Sequence, residues 1–68
     1  MLTNEATIRS IIADPHAPGS LLISFRELAA YYRVDGALAV QLRAFTPGTR
    51  LRFTHDAECC IKGIERHH

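Results

Sequence analysis

Sixty-eight residues and 7.6 kDa allow a single domain, 1–68, and leave no room for a second. A composition that is 47% apolar and 22% charged belongs to a globular chain and excludes disorder. The net charge of +1, from seven Arg, one Lys and seven acids, excludes a polybasic tail and argues against strong non-specific nucleic-acid affinity. A domain this small buries only about 60% of its unfolded surface, so a homodimer is an expected source of added stability.

The longest purely apolar run, Ala37-Leu38-Ala39-Val40, is too short to cross a bilayer. Met1-Leu2-Thr3-Asn4-Glu5 has neither the basic nor the apolar region of a signal peptide. Cys59 and Cys60 are adjacent, and a bridge between neighbours strains the peptide, so no disulfide framework is implied. The expected compartment is the cytoplasm, with no membrane partner. The ending Arg66-His67-His68 is given no role.

In chain order, residues 5–13 satisfy two periods. Their β-branched content suits a strand, while Ile8, Ile11 and Ile12 also fit a helix that Asn4 could cap. Asp14-Pro15-His16-Ala17-Pro18-Gly19-Ser20 is a loop. Leu21-Leu22-Ile23 is strand-like, and Ser24-Phe25-Arg26-Glu27 has the form of a capping box that supports a helix over residues 25–33. Asp35-Gly36 suits a hairpin turn or a helix stop. Residues 37–45 again fit both periods. Thr46-Pro47-Gly48-Thr49 places Pro and Gly at the centre of a type II turn. The clearest element is the last: Leu51 and Phe53 alternate with Arg50, Arg52 and Thr54. A polar connector, His55-Asp56-Ala57-Glu58, leads to a strand over residues 59–65, with Cys59, Ile61 and Gly63 opposite Cys60, Lys62 and Ile64. That is a hairpin.

Three architectures accommodate these elements. The first is a mainly β, five-stranded OB-like barrel: strands over 7–13, 21–25 and 31–34, a short helix over 37–44, and the closing hairpin. Thr7-Ile8-Arg9-Ser10-Ile11, Phe45-Thr46-Pro47-Gly48-Thr49-Arg50-Leu51-Arg52-Phe53-Thr54 and Ile61-Lys62-Gly63-Ile64-Glu65 resemble segments of small copper-chaperone domains of the CusF type. That family binds copper through His and Met beside a Trp. This chain has no Trp, its one Met is Met1, and Phe25 lies near the family's His position, so the resemblance implies the fold but carries over no metal site. In the second architecture, Leu21-Leu22-Ile23, Ser24-Phe25-Arg26-Glu27-Leu28 and Val34-Asp35-Gly36-Ala37-Leu38-Ala39-Val40 resemble swapped-hairpin DNA-binding domains of the AbrB/MazE type, which are intertwined dimers. The third is a winged helix, with helices over 25–33 and 37–45 and the hairpin as wing. Its second helix then carries Leu38, Leu42 and Phe45 one residue early relative to Val34, which rotates it by about 100°.

The expected core is Ile8, Ile12, Leu21, Ile23, Phe25, Leu28, Tyr31, Leu42, Leu51, Phe53 and Ile64. His55, Asp56, Cys59 and Cys60 contain soft-metal ligand types, but adjacent strand cysteines face opposite ways; no metal or other cofactor is expected. No motif supports nucleophilic catalysis, and a pocket of about 300 Å³ or more would leave little core, so neither an enzyme nor a small-molecule substrate is expected. The leading expectation is a non-catalytic binding module, nucleic-acid-associated or regulatory. Its contact residues would be Arg43, Arg50 and Arg52, with Tyr31 and Tyr32 available for stacking. Copper or zinc handling and a dimerisation module are the alternatives.

Overall fold

The computed structural model describes residues 1–66; His67 and His68 lie outside the described residues. The chain runs β1 (Leu2–Ala13), β2 (Leu21–Phe25), β3 (Tyr31–Val34), α1 (Gly36–Leu42), β4 (Arg50–His55) and β5 (Ile61–Arg66). All five strands join one antiparallel sheet of order β3-β2-β1-β4-β5. β1 organises it. Its first half pairs with β4, from Leu2↔His55 to Thr7↔Arg50, and its second half with β2, from Ile8↔Phe25 to Ala13↔Leu21.

The mainly β expectation with one short helix is therefore met, and the winged helix is not. The expected barrel does not close. Among the described residues, β3 is bridged to the other end of the sheet only just before β5, at a parallel bridge Arg33↔Cys60, where the Arg33 amide donates to the Cys59 carbonyl at 2.9 Å. β3 has only four residues before the chain turns into α1, so a longer ladder has no strand to run along.

The Ser24–Glu27 pattern does not open a helix: residues 26–30 are bends and irregular backbone. Glu27 instead reaches β1, where it accepts from the Thr7 amide at 2.7 Å and the Thr7 hydroxyl at 2.9 Å. Asn4 caps nothing and lies within β1. Asp35 is the N-cap of α1 rather than a stop, and its side chain makes no cap bond, because its carboxylate takes the Ser20 hydroxyl and faces Arg33. The turn at residues 46–49 forms as expected, with Gly48 at φ +96° and Thr49 donating to Thr46 at 3.1 Å. Glycine is suited to that φ. The Gly48 amide then donates to Ile8 at 2.8 Å, tying the turn to β1.

The core centres on Phe25 and Phe53, stacked at 4.7 Å, with Tyr32 edge-on to them at 5.6 and 5.2 Å. Burying each phenyl side chain contributes about 1.5–3 kcal/mol. Ile8, Leu21, Ile23, Leu42 and Leu51 are buried as expected, and Leu28 and Ile64 pack against them. Ile12 and Tyr31 are not in the core: they are 47% and 53% exposed. A bulge between Ile8 and Ser10 changes the alternation, so Ile8 and Ile11 face inward and Ile12 outward. On β3 the inward residues are Tyr32 and Val34. A second irregularity sets His55 against Ile61 and Thr54 against Gly63, leaving Lys62 as the extra residue. Ile61 is thereby buried while Ile64 also packs on the core, which the expected alternation had put on opposite faces.

Candidate nucleic-acid interface

Alternation places Arg50 and Arg52 together on the outer face of β4, as the sequence suggests. Both sit among carboxylates. Arg50 lies 3.4 Å from Glu5 and 3.3 Å from Glu27, and Arg52 is flanked in register by Glu5 on β1 and Glu65 on β5. Two hydrogen bonds from Thr7 and the Arg50 charge hold the Glu27 carboxyl below the usual range. Arg43 is not on this face; it is the C-cap of α1. The three arginines singled out from sequence thus divide between two elements, and two of them have acidic neighbours.

The other end of the sheet presents a different surface. Cross-strand registers set Ser10, Ser24 and Tyr31 in one row on this face, with Ser24 itself buried, and Ile12, Leu22 and Arg33 in the next. Neighbouring strands lie about 4.8 Å apart, so each row spans about 10 Å. Ser10 and Ser24 share a hydroxyl hydrogen bond of 2.6 Å, and Arg9, at the β1 bulge, reaches Ser24 at 3.5 Å. Arg26 is exposed directly after β2. Neither row contains an acid. Arg33 faces Asp35 at 3.6 Å in a half-exposed pair, and Arg26 is followed in the chain by Glu27. The result is a shallow floor of Ile12 and Leu22, a half-exposed tyrosine ring, and Arg9, Arg26 and Arg33 around it. Sequence reasoning missed this face because it put Ile12 and Tyr31 in the core. The signal available was Leu22 and Arg33, each one residue out of phase with a core position.

The His55, Asp56, Cys59 and Cys60 group does not converge on a metal. His55 is 4% exposed and points into the sheet beside Tyr32 at 5.0 Å. Its Nδ1 faces the Asp56 carbonyl at 2.8 Å, so that nitrogen carries the proton, and Nε2 accepts from the Asn4 amide at 2.7 Å. Both ring nitrogens are engaged. The Asp56 carboxylate accepts from the Glu58 and Cys60 amides at 2.9 and 3.0 Å. The Cys60 bond is the largest reason its carboxyl sits below the usual range, against an opposing desolvation effect. These bonds build the turn into β5, in which Cys59 takes φ +63°. Among the described residues no group of three or more His, Cys, Asp or Glu could hold a metal ion, and no helix is long and apolar enough to cross a membrane.

Comparison with protein-family models, with curated proteins and with solved structures finds no match to this chain.

Proposed function

We propose that this chain is a small non-catalytic module that binds single-stranded nucleic acid across the outer face of β1, β2 and β3. Arg9, Arg26 and Arg33 meet phosphates, and Tyr31 stacks on a base. The observation that carries the reading is the segregation of charge. The Ser10–Ser24–Tyr31 and Ile12–Leu22–Arg33 rows contain no acid, whereas Arg50 and Arg52 are surrounded by Glu5, Glu27 and Glu65. An exposed aromatic ring beside guanidinium groups is the chemistry that holds unpaired bases without sequence preference. OB barrels bind oligonucleotides on the same part of their sheet, the face of the second and third strands. The low net charge suits a short contact of a few phosphates rather than wrapping of a duplex.

Fluorescence anisotropy of a labelled oligothymidine tests this. With three phosphate contacts, log affinity should fall with log salt at a slope of about −2. Tyr31→Ala should weaken binding by about 5- to 150-fold, the range for one lost base stack, and Arg9→Ala with Arg33→Ala should reduce the slope. Arg50→Ala with Arg52→Ala should leave binding unchanged or improved. Absence of binding at low salt, or loss confined to the Arg50/Arg52 variant, refutes the reading.

A further inference from the structure

On the opposite end of the sheet, the outer face of β1, β4 and β5 contains a hollow of about 350 Å³ lined by Thr3, Arg52, Thr54, Gly63, Ile64 and Glu65, with Phe53. Its shape follows from register. Thr3, Thr54 and Gly63 form one cross-strand row, and Glu5, Arg52 and Glu65 the next. Gly63 is the only one of these six without a side chain, and a Cβ there would lie 3.0 Å from the Thr54 hydroxyl. The hollow is therefore a place where a side chain is missing. It lies outside the sheet, so it takes nothing from the core, which removes the objection that a chain this short has no space for a small-molecule site.

We propose that this hollow binds a free α-amino acid. Arg52 is exposed, and among the described residues no ion pair engages it. Its planar fork suits a carboxylate, and the Thr3 and Thr54 hydroxyls beside it supply further hydrogen bonds. The surroundings decide which carboxylate. Arg52 stands in register between Glu5 and Glu65, so this row has one more acid than base. A phosphate, a dicarboxylate or a nucleic-acid strand meets net repulsion there. A zwitterion does not: its carboxylate meets Arg52 while its ammonium, one carbon away, meets Glu65 on the neighbouring strand. The volume lies at the lower end of small-molecule sites, about 300–1,000 Å³, which fits an amino acid. This site is separate from the β1–β2–β3 face, so either can fail without the other.

Amide chemical-shift titration of the full ¹⁵N-labelled chain tests the proposal, with L-alanine and L-leucine as ligands. The expected result is saturable movement of the Thr3, Arg52, Thr54, Gly63 and Glu65 amides by at least one of them at millimolar concentration. Acetate, methylammonium, inorganic phosphate and triglycine, whose charged ends are far apart, should each bind at least about tenfold more weakly. Gly63→Ala, whose Cβ would lie 3.0 Å from the Thr54 hydroxyl and must displace it, should weaken the saturable shifts. Should that variant fail to fold, Arg52→Gln, on an exposed site, should remove them with the spectrum otherwise intact. The proposal is overturned by no saturable shift up to about 50 mM, a weakness beyond specific recognition. It is equally overturned by acetate, phosphate or triglycine binding as well as the amino acids, or by an Arg52→Gln protein that still binds.

Discussion

Replacing Tyr32 with Ala should destabilise the fold by about 3–5 kcal/mol, the usual range for truncating a buried aromatic, while Tyr31→Ala should change it by no more than about 0.5 kcal/mol. The two residues are adjacent, so the contrast depends entirely on which face of β3 each occupies. Tyr32 is 5% exposed and packs edge-on against Phe25, Phe53 and His55 at 5.6, 5.2 and 5.0 Å; Tyr31 is 53% exposed. Burial also raises the Tyr32 phenol above its ordinary pKa, as expected for a ring held away from water. A domain of this length has a total stability of about 3–10 kcal/mol, so Tyr32→Ala brings it close to unfolding. Tyr32→Leu is the safer companion: it keeps apolar volume and loses three ring contacts worth about 2–4 kcal/mol together. Urea titration followed by far-ultraviolet circular dichroism reads the difference. With a urea slope near 1 kcal/mol per molar, Tyr32→Leu should lower the midpoint by about 2–4 M and Tyr31→Ala by less than about 0.5 M. Equal midpoints, or a larger loss from Tyr31→Ala, refute the register of β3 and the exposed tyrosine on which the nucleic-acid reading depends.

Acid should weaken the fold through two carboxylates. Glu27 and Asp56 have folded-state pKa values below their ordinary ones, so the stability they contribute is present above about pH 4–5 and is lost as pH falls through the lower folded values. The urea midpoint should drop between about pH 5 and 3, and Glu27→Gln combined with Asp56→Asn should flatten that drop; an unchanged slope contradicts the hydrogen bonds assigned to them. A double-mutant cycle on Asn4 and His55, by urea denaturation, should give a coupling of about 0.5–1.5 kcal/mol, and zero coupling removes that bond from the account. Deleting Lys62 should cost at most about 1 kcal/mol by the same assay, because it is the surplus residue of a bulge and Ile61 and Ile64 then alternate regularly. A loss of several kcal/mol shows that β5 contains no bulge.

The hairpin of β4 and β5 was legible because Leu51 and Phe53 alternate with polar residues on a half-buried strand, and the turn at Thr46-Pro47-Gly48-Thr49 because its chemistry is local. What the sequence hid is non-local. Thr3, Asn4 and Glu5 carry no strand signal of their own; they are extended because β4 pairs with them. Glu27 matched a capping box, yet its partner is Thr7, 20 residues away. The bulges at Arg9 and Lys62 shift the phase within β1 and β5, so counting by twos from Ile8 or Cys59 assigns Ile12 and Ile64 to the wrong faces. In Tyr31-Tyr32-Arg33-Val34, either tyrosine fits the core until Val34 fixes the phase. The candidate site inherits those errors. Arg50 and Arg52 were rightly placed on one face, but nothing local announces that Glu5, Glu27 and Glu65 come to lie beside them. The placing of acids beside them is a property of the sheet, not of the strand.

The most direct test of the functional account is an amide chemical-shift map of the ¹⁵N-labelled chain titrated with a short oligothymidine at low salt. The account expects the largest movements at Ser10, Ile12, Leu22, Ser24, Tyr31 and Arg33, fading as salt is added. Movements centred on Arg50 and Arg52, or no movement at all, contradict it.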